Sequence, residues 1–133
     1  MEQYHVSFYT KASGEKPAKD FISALEPKMR TKMLREITVL ENNGPLLKMP
    51  DSRPLGDGIF ELRAQVATDI TRVLYFFYVG KEIVLTNGFV KKTQKTPPLE
   101  IKKAKAYRAD YLARKEVVKV SVTPWLKRGA CEF

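Results

Sequence analysis

Apolar and polar positions change period several times along the chain, and the changes mark out its elements. Tyr4-His5-Val6-Ser7-Phe8-Tyr9 is short and rich in β-branched and aromatic residues, which predicts a first strand. The polar stretch from Lys11 to Lys16 ends it. Pro17 suits the first turn of a helix, and Phe21, Ala24 and Leu25, three and four residues apart, give that helix a buried stripe. Pro27 ends or redirects it. From Lys28 onward Met29, Met33, Ile37 and Leu40 recur at helical spacing, and Asn42-Asn43-Gly44-Pro45 supplies stop signals, so a helical hairpin is predicted.

Residues 44 to 58 contain Gly44, Pro45, Pro50, Pro54, Gly56 and Gly58 and read as a long ordered loop. Ile59 to Ala67 then alternates, with Phe60, Leu62, Ala64 and Val66 on one side and Glu61, Arg63 and Gln65 on the other, the pattern of a half-buried strand. Ile70 to Val79 is apolar on both faces, as a central strand is, and Gly80-Lys81 makes a tight turn into a further strand, Glu82 to Val90. After Pro97-Pro98, Leu99 to Lys115 is helical again, with Ala104, Tyr107 and Tyr111 on one face. Beyond Glu116, Val118, Val120 and Val122 alternate before Pro124-Trp125, which fits either an added strand or an extension. The order is β-α-α-β-β-β-α: a single small α+β domain over residues 1–116, followed by a C-terminal extension, 117–133, of unassigned role.

A chain of 133 residues that is 44% hydrophobic suits one modest core. No stretch approaches the roughly 18 consecutive apolar residues of a membrane span, and the N-terminus lacks a signal-peptide pattern, so a cytoplasmic protein with no membrane partner is expected. The only cysteine, Cys131, can form neither a disulfide framework nor a clustered metal site. The sequence has no glycine-rich phosphate loop, no Cys/His zinc spacing and no acidic cluster suited to magnesium, so no metal or cofactor is expected. Against this background the charge is informative. The 24 Lys+Arg and 15 Asp+Glu give +9, a surface that attracts polyanions or serves solubility, and the placement of the cations decides between the two.

That placement favours the meander, where Arg63, Arg72, Lys91 and Lys92 lie on three consecutive strands or at their ends. With strands about 4.8 Å apart, antiparallel neighbours gather such side chains within the span of one or two nucleotides. Arg72 interrupts an apolar strand and needs an anionic partner, either a ligand phosphate or an internal carboxylate such as Glu61 or Asp69. Arg63 is either a solvated charge or part of the site. Lys91, Lys92 and Lys95 form a run just after the last strand, and Lys102 follows on the helix. Tyr75, Phe76, Phe77 and Tyr78 offer rings able to stack on bases, although such a run in a central strand belongs mainly to a core. The only histidine, His5, lies far in sequence from these cations, so a histidine-pair nuclease is unsupported.

Three blocks, Gly58-Ile59-Phe60-Glu61-Leu62-Arg63, Thr71-Arg72-Val73-Leu74-Tyr75-Phe76 and Gly88-Phe89-Val90-Lys91-Lys92-Thr93-Gln94-Lys95-Thr96-Pro97, occur in this order and spacing. Together they closely resemble the phage-derived Gp49-like branch of the RelE/HigB toxin superfamily, and the resemblance covers roughly residues 4 to 112. It implies a RelE/ParE-like fold, with two N-terminal helices packed on one face of a twisted, mainly antiparallel sheet and a cleft on the other. It also implies the toxin of a type II toxin–antitoxin system, an mRNA interferase that cleaves messenger RNA, commonly on the ribosome. The implied partners are mRNA, the ribosome and a cognate antitoxin, often of helix-turn-helix type, with operator DNA met only through the antitoxin complex.

By matching position, the resemblance gives Arg72 the scissile phosphate, Lys91 or Lys92 the basic role after the last strand, and Arg63 the arginine of the preceding strand. The histidine that some superfamily members place near the last strand or C-terminus has no counterpart here. Catalysis is then expected from Arg63, Arg72, Lys91 and Lys92, with Glu61, Tyr75 and Lys95 as secondary candidates. RNA binding is expected from Arg63, Lys91, Lys92, Lys95 and Lys102. The expected chemistry is metal-independent attack by the ribose 2′-hydroxyl, with Lys91 or Lys92, its pKa lowered by neighbouring cations, or alternatively Glu61, moving the proton. Two alternatives remain, a ParE-like toxin that inhibits gyrase and a non-catalytic nucleic-acid-binding regulator.

Overall fold

The computed structural model of the chain describes residues 3–90 and 95–128, with side chains described through residue 115. Its elements are β1 (His5–Phe8), α1 (Pro17–Ser23), α2 (Pro27–Asn43), a short 3-10 turn (Gly44–Leu46), β2 (Ser52–Gly56), β3 (Ile59–Val66), β4 (Asp69–Tyr78), β5 (Glu82–Val90) and α3 (Pro98–Arg128). Pro17 occupies the first turn of α1 as expected, and Pro27, read as the end of the first helix, opens α2 after α1 stops at Ser23; at either place a missing N–H costs no helix bond. α2 ends at Asn43, as its Asn-Asn-Gly-Pro signal predicts.

The strands form one mixed sheet in the order β1-β5-β4-β3-β2. β1 runs parallel to β5, and the remaining pairs are antiparallel. β2 lies inside the stretch that reads as a loop, and this is the main correction to the sequence-based topology. The prolines and glycines that argue against a strand are tolerated because β2 is an edge strand, where Pro54, which has no backbone N–H to donate, leaves no inner ladder broken, and a bulge between Pro54 and Gly56 absorbs the irregularity. Residues 117–128, for which strand or extension stood open, continue α3 as helix.

Alternation along the strands divides the core into two layers. Under α1 and α2, Leu62, Ala64, Val73, Tyr75, Ile83 and Leu85 pack with Ile22, Met29, Met33, Ile37 and Leu40. Under α3, Ile59, Leu74, Phe76, Val84 and Phe89 pack with Ala104, Tyr107 and Tyr111, the helix face predicted from sequence. The glycine that opens the third sequence block has a packing reason: a Cβ on Gly88 would overlap the ring of Phe21, so this residue lets α1 lie close on β5. Among the described residues no helix is long and apolar enough to cross a membrane.

Candidate functional site

α3 covers only part of its face of the sheet, and polar side chains gather where β2, β3 and β4 continue beyond its contacts. Glu61 and Arg63 alternate with the helix-covered Leu62 and Ala64, so they share the α3 side with Arg72. Register brings the set together: Arg53 of β2 stands opposite Glu61, and Arg63 stands opposite Arg72. Three arginines from three adjacent strands thus surround one glutamate.

Arg72 and Glu61 are both 0% exposed. Nη1 of Arg72 donates to Oε2 of Glu61, and Oγ1 of Thr96 donates to Oε1 at 2.5 Å, so each carboxylate oxygen is engaged. Nε and Nη2 of Arg72 are buried with no partner among the described residues. Burial pushes the Arg72 guanidinium below its ordinary value; Glu61 opposes this, while Arg63 and Arg53 add to the push. Arg53 and Arg63 themselves are half-buried, reachable from solvent above the Arg72 floor. Like charges directly opposite on paired strands repel, and unpaired buried donors cost free energy, so the cluster carries a cost that apolar packing would not.

The sequence-derived candidates fall into three groups. Arg63, Arg72 and Glu61 come together, with Glu61 as the internal partner of Arg72. Tyr75 does not join them: it faces α1 and α2, is buried in that core, and its hydroxyl lies 2.5 Å from Oγ of Ser52. Burial holds that phenol above its ordinary pKa, away from acid–base use. Lys95 is exposed beside Thr96, Lys102 is exposed on α3, and Lys91 and Lys92 lie outside the described residues. Val90, which precedes them, pairs with Thr71, the neighbour of Arg72. His5 is exposed on β1 with Nδ1 at 3.4 Å from Glu82, remote in the sheet from the arginines.

Arg53 and Thr96 are the members that sequence reasoning missed. No alternation marked Arg53, since Leu55, two residues on, shares its face and the flanking prolines and glycines carry turn signals. Nothing in the spacing marked Thr96, whose role depends on where the chain re-enters after β5. Among the described residues no group of three or more His, Cys, Asp or Glu side chains is placed to hold a metal ion.

Fold and site together define a small α+β domain whose mixed sheet is covered by α1 and α2 on one face and, on the other, by α3 over part of its area with an arginine cluster beside it. The chain belongs to the family described as Phage derived protein Gp49-like (DUF891), whose family model matches residues 20–109, a span that holds Arg53, Glu61, Arg63 and Arg72. Membership of this family points to a toxin of the toxin–antitoxin kind, with an antitoxin as partner. Comparison with curated proteins gives no match.

Proposed function

We propose that the protein is a type II toxin acting as an mRNA interferase, an endoribonuclease that cuts messenger RNA on the ribosome and stops translation. The observation that carries this reading is the buried Arg72, two of whose donors have no partner among the described residues, flanked by the half-buried Arg53 and Arg63. RNA contains its own nucleophile. Attack of the 2′-oxygen on the adjacent phosphorus breaks the bond to the 5′-oxygen and leaves a cyclic phosphate and a 5′-hydroxyl. The protein's task is to align the attack and to neutralise charge building on the phosphoryl oxygens, which suits a pair of guanidiniums over a third.

In this mechanism Arg53 and Arg63 contact the phosphate, and Arg72 supports them from below. Glu61 has both oxygens engaged and no exposure, so it serves to hold Arg72 and leaves the proton to other groups. Lys91 and Lys92 are the proposed base and acid, since crowding by cations lowers a lysine from its usual value of about 10.4. Lys95 and Lys102 extend the positive surface for the RNA backbone, and the antitoxin, proposed to be of helix-turn-helix type, carries any contact with operator DNA.

The test maps cuts in one defined messenger RNA by primer extension, with and without translating ribosomes. Cuts confined to the ribosome-containing reaction are expected. Absence of cuts in both, with folded protein and inhibited DNA supercoiling, would replace this reading with gyrase poisoning.

A further inference from the structure

A pocket opens at the rim of the sheet beside the arginine cluster. β2 pairs with β3 only from Ile59 to Leu62, and beyond it the edge of β3 is held by a single backbone bond from Arg63 to the carbonyl of Asp51. Here Lys32, Glu36, Asp51, Arg63, Gln65 and Ile70 line a pocket of about 150 Å³. Arg63, Gln65 and Ile70 share the face of Arg72 by alternation, whereas Lys32 and Glu36 come from α2 in the opposite layer. The pocket therefore bends around the strand edge and meets the cluster through Arg63.

Glu36 is the unusual member. It is 8% exposed, Nζ of Lys32 lies 3.8 Å from its Oε2, and its Oε1 is buried without a partner among the described residues. Burial, and then Asp51, raise the Glu36 carboxyl above its ordinary pKa, against a smaller opposing pull from Lys32. An acceptor left in this state weakens the fold until a donor reaches it. A ligand suited to the pocket presents donors to Glu36 and Asp51 and acceptors to Lys32, Arg63 and Gln65. A cavity of this size takes about one six-membered ring, so the ring and one edge of a nucleobase enter it while the remainder of the base stays at the mouth.

Among the bases, guanine has two adjacent donors, its ring N–H and its 2-amino group, on one edge, and two acceptors, O6 and N7, on the next. A carboxylate takes the first edge and Arg or Lys takes the second. Uracil offers a single donor, and adenine and cytosine each pair one amino group with a ring acceptor that a carboxylate repels. We infer that this pocket reads the base next to the phosphate held by the arginine cluster and selects guanine through Glu36 and Asp51. The inference rests on the RNA-cleaving reading for its biological meaning, but the binding itself needs no cleavage. Ile70 supplies an apolar wall for the base.

The test is an NMR titration of the full chain with guanosine, inosine and uridine 5′-monophosphates, which share the phosphate and differ in the base. Guanosine monophosphate is expected to bind at least about tenfold more tightly than uridine monophosphate, with shifts at the Gln65 side-chain amide. Inosine monophosphate, which lacks the 2-amino group, is expected to fall between them. Glu36→Gln is expected to abolish the preference for guanosine while keeping the response at Arg63, and Asp51→Asn is expected to reduce it. Equal affinity for guanosine and uridine monophosphates, or an unchanged preference in folded Glu36→Gln, would overturn the inference. Messenger RNA cleavage measured in parallel separates the two readings. Cutting without guanosine preference removes only the pocket's role, and guanosine preference without cutting removes only the nuclease.

Discussion

On the face under α1 and α2, β3 and β4 present Leu62, Ala64, Val73 and Tyr75, buried with Met33, Ile37 and Leu40. On the other face the same two strands present Ile59, Leu74 and Phe76 beneath α3 at one end, and Glu61, Arg63 and Arg72 at the other. One residue of offset separates the two sets. The first face consists of apolar packing, which is where the stability of such a domain originates. The second is divided, and its polar end buries an ion pair that contributes little net stability compared with apolar side chains of the same size. A region that could have been packed more cheaply with leucine is instead charged, and this difference is the ground on which we propose function on the α3 side.

The largest expected effect breaks the pair from one side. Glu61→Ala leaves Arg72 buried without a counter-charge and should cost about 3–5 kcal/mol, read by urea unfolding. Replacing Glu61 and Arg72 together with methionine should return stability to the wild-type range or above it while cleavage is lost. A double variant as unstable as Glu61→Ala would mean that the pair is structural after all. On the opposite face Leu62→Ala should cost about 2–5 kcal/mol, with cleavage per folded molecule unchanged. Tyr75→Phe, which removes the hydroxyl facing Ser52, should cost about 1 kcal/mol in the same assay and leave cleavage intact, in keeping with its place among the helix-facing residues.

The smallest effect is pH-dependent and concerns the rim. Because the Glu36 carboxyl is held above its ordinary pKa, the native state keeps that proton to higher pH than the unfolded chain does. Stability is therefore lost as pH rises from the unfolded carboxyl value, about 4.3, through the raised native one, and stays reduced above it. Glu36→Gln should raise the melting temperature at about pH 7, and the gain should vanish below about pH 4, where both side chains are neutral. A melting temperature lowered at neutral pH would contradict this account of the pocket.

Much of this contrast was legible in the sequence because strand alternation is a local property. Phe60 to Val66 declared its two sides, and the stripe of Met29, Met33, Ile37 and Leu40 declared the buried face of α2. Glu36 was legible in principle, lying three residues after Met33 and four before Leu40 on that same stripe, where a charge is out of place. β2 was hidden because Pro54, Gly56 and Gly58 carry turn signals that only an edge position accommodates, and Arg53 was hidden with it. The parallel pairing of β1 with β5 could not be read locally, since it depends on the path of α1 and α2 between them. Sequence also left Arg72 between a phosphate and an internal carboxylate. The structure pairs it with Glu61 and leaves two of its nitrogens without a partner among the described residues, a geometry that no spacing rule conveys.

The most direct measurement is mapped cleavage of ribosome-bound messenger RNA by the double variant Arg53→Ala with Arg63→Ala, two half-buried cations whose removal leaves the Glu61–Arg72 pair in place. The account expects a folded protein with a melting temperature near that of the wild type and at least about a hundredfold slower cutting, the scale on which loss of charge-stabilising donors is felt in a reaction. Wild-type cutting by the folded double variant would contradict it, and would move the chemistry away from this face of the sheet.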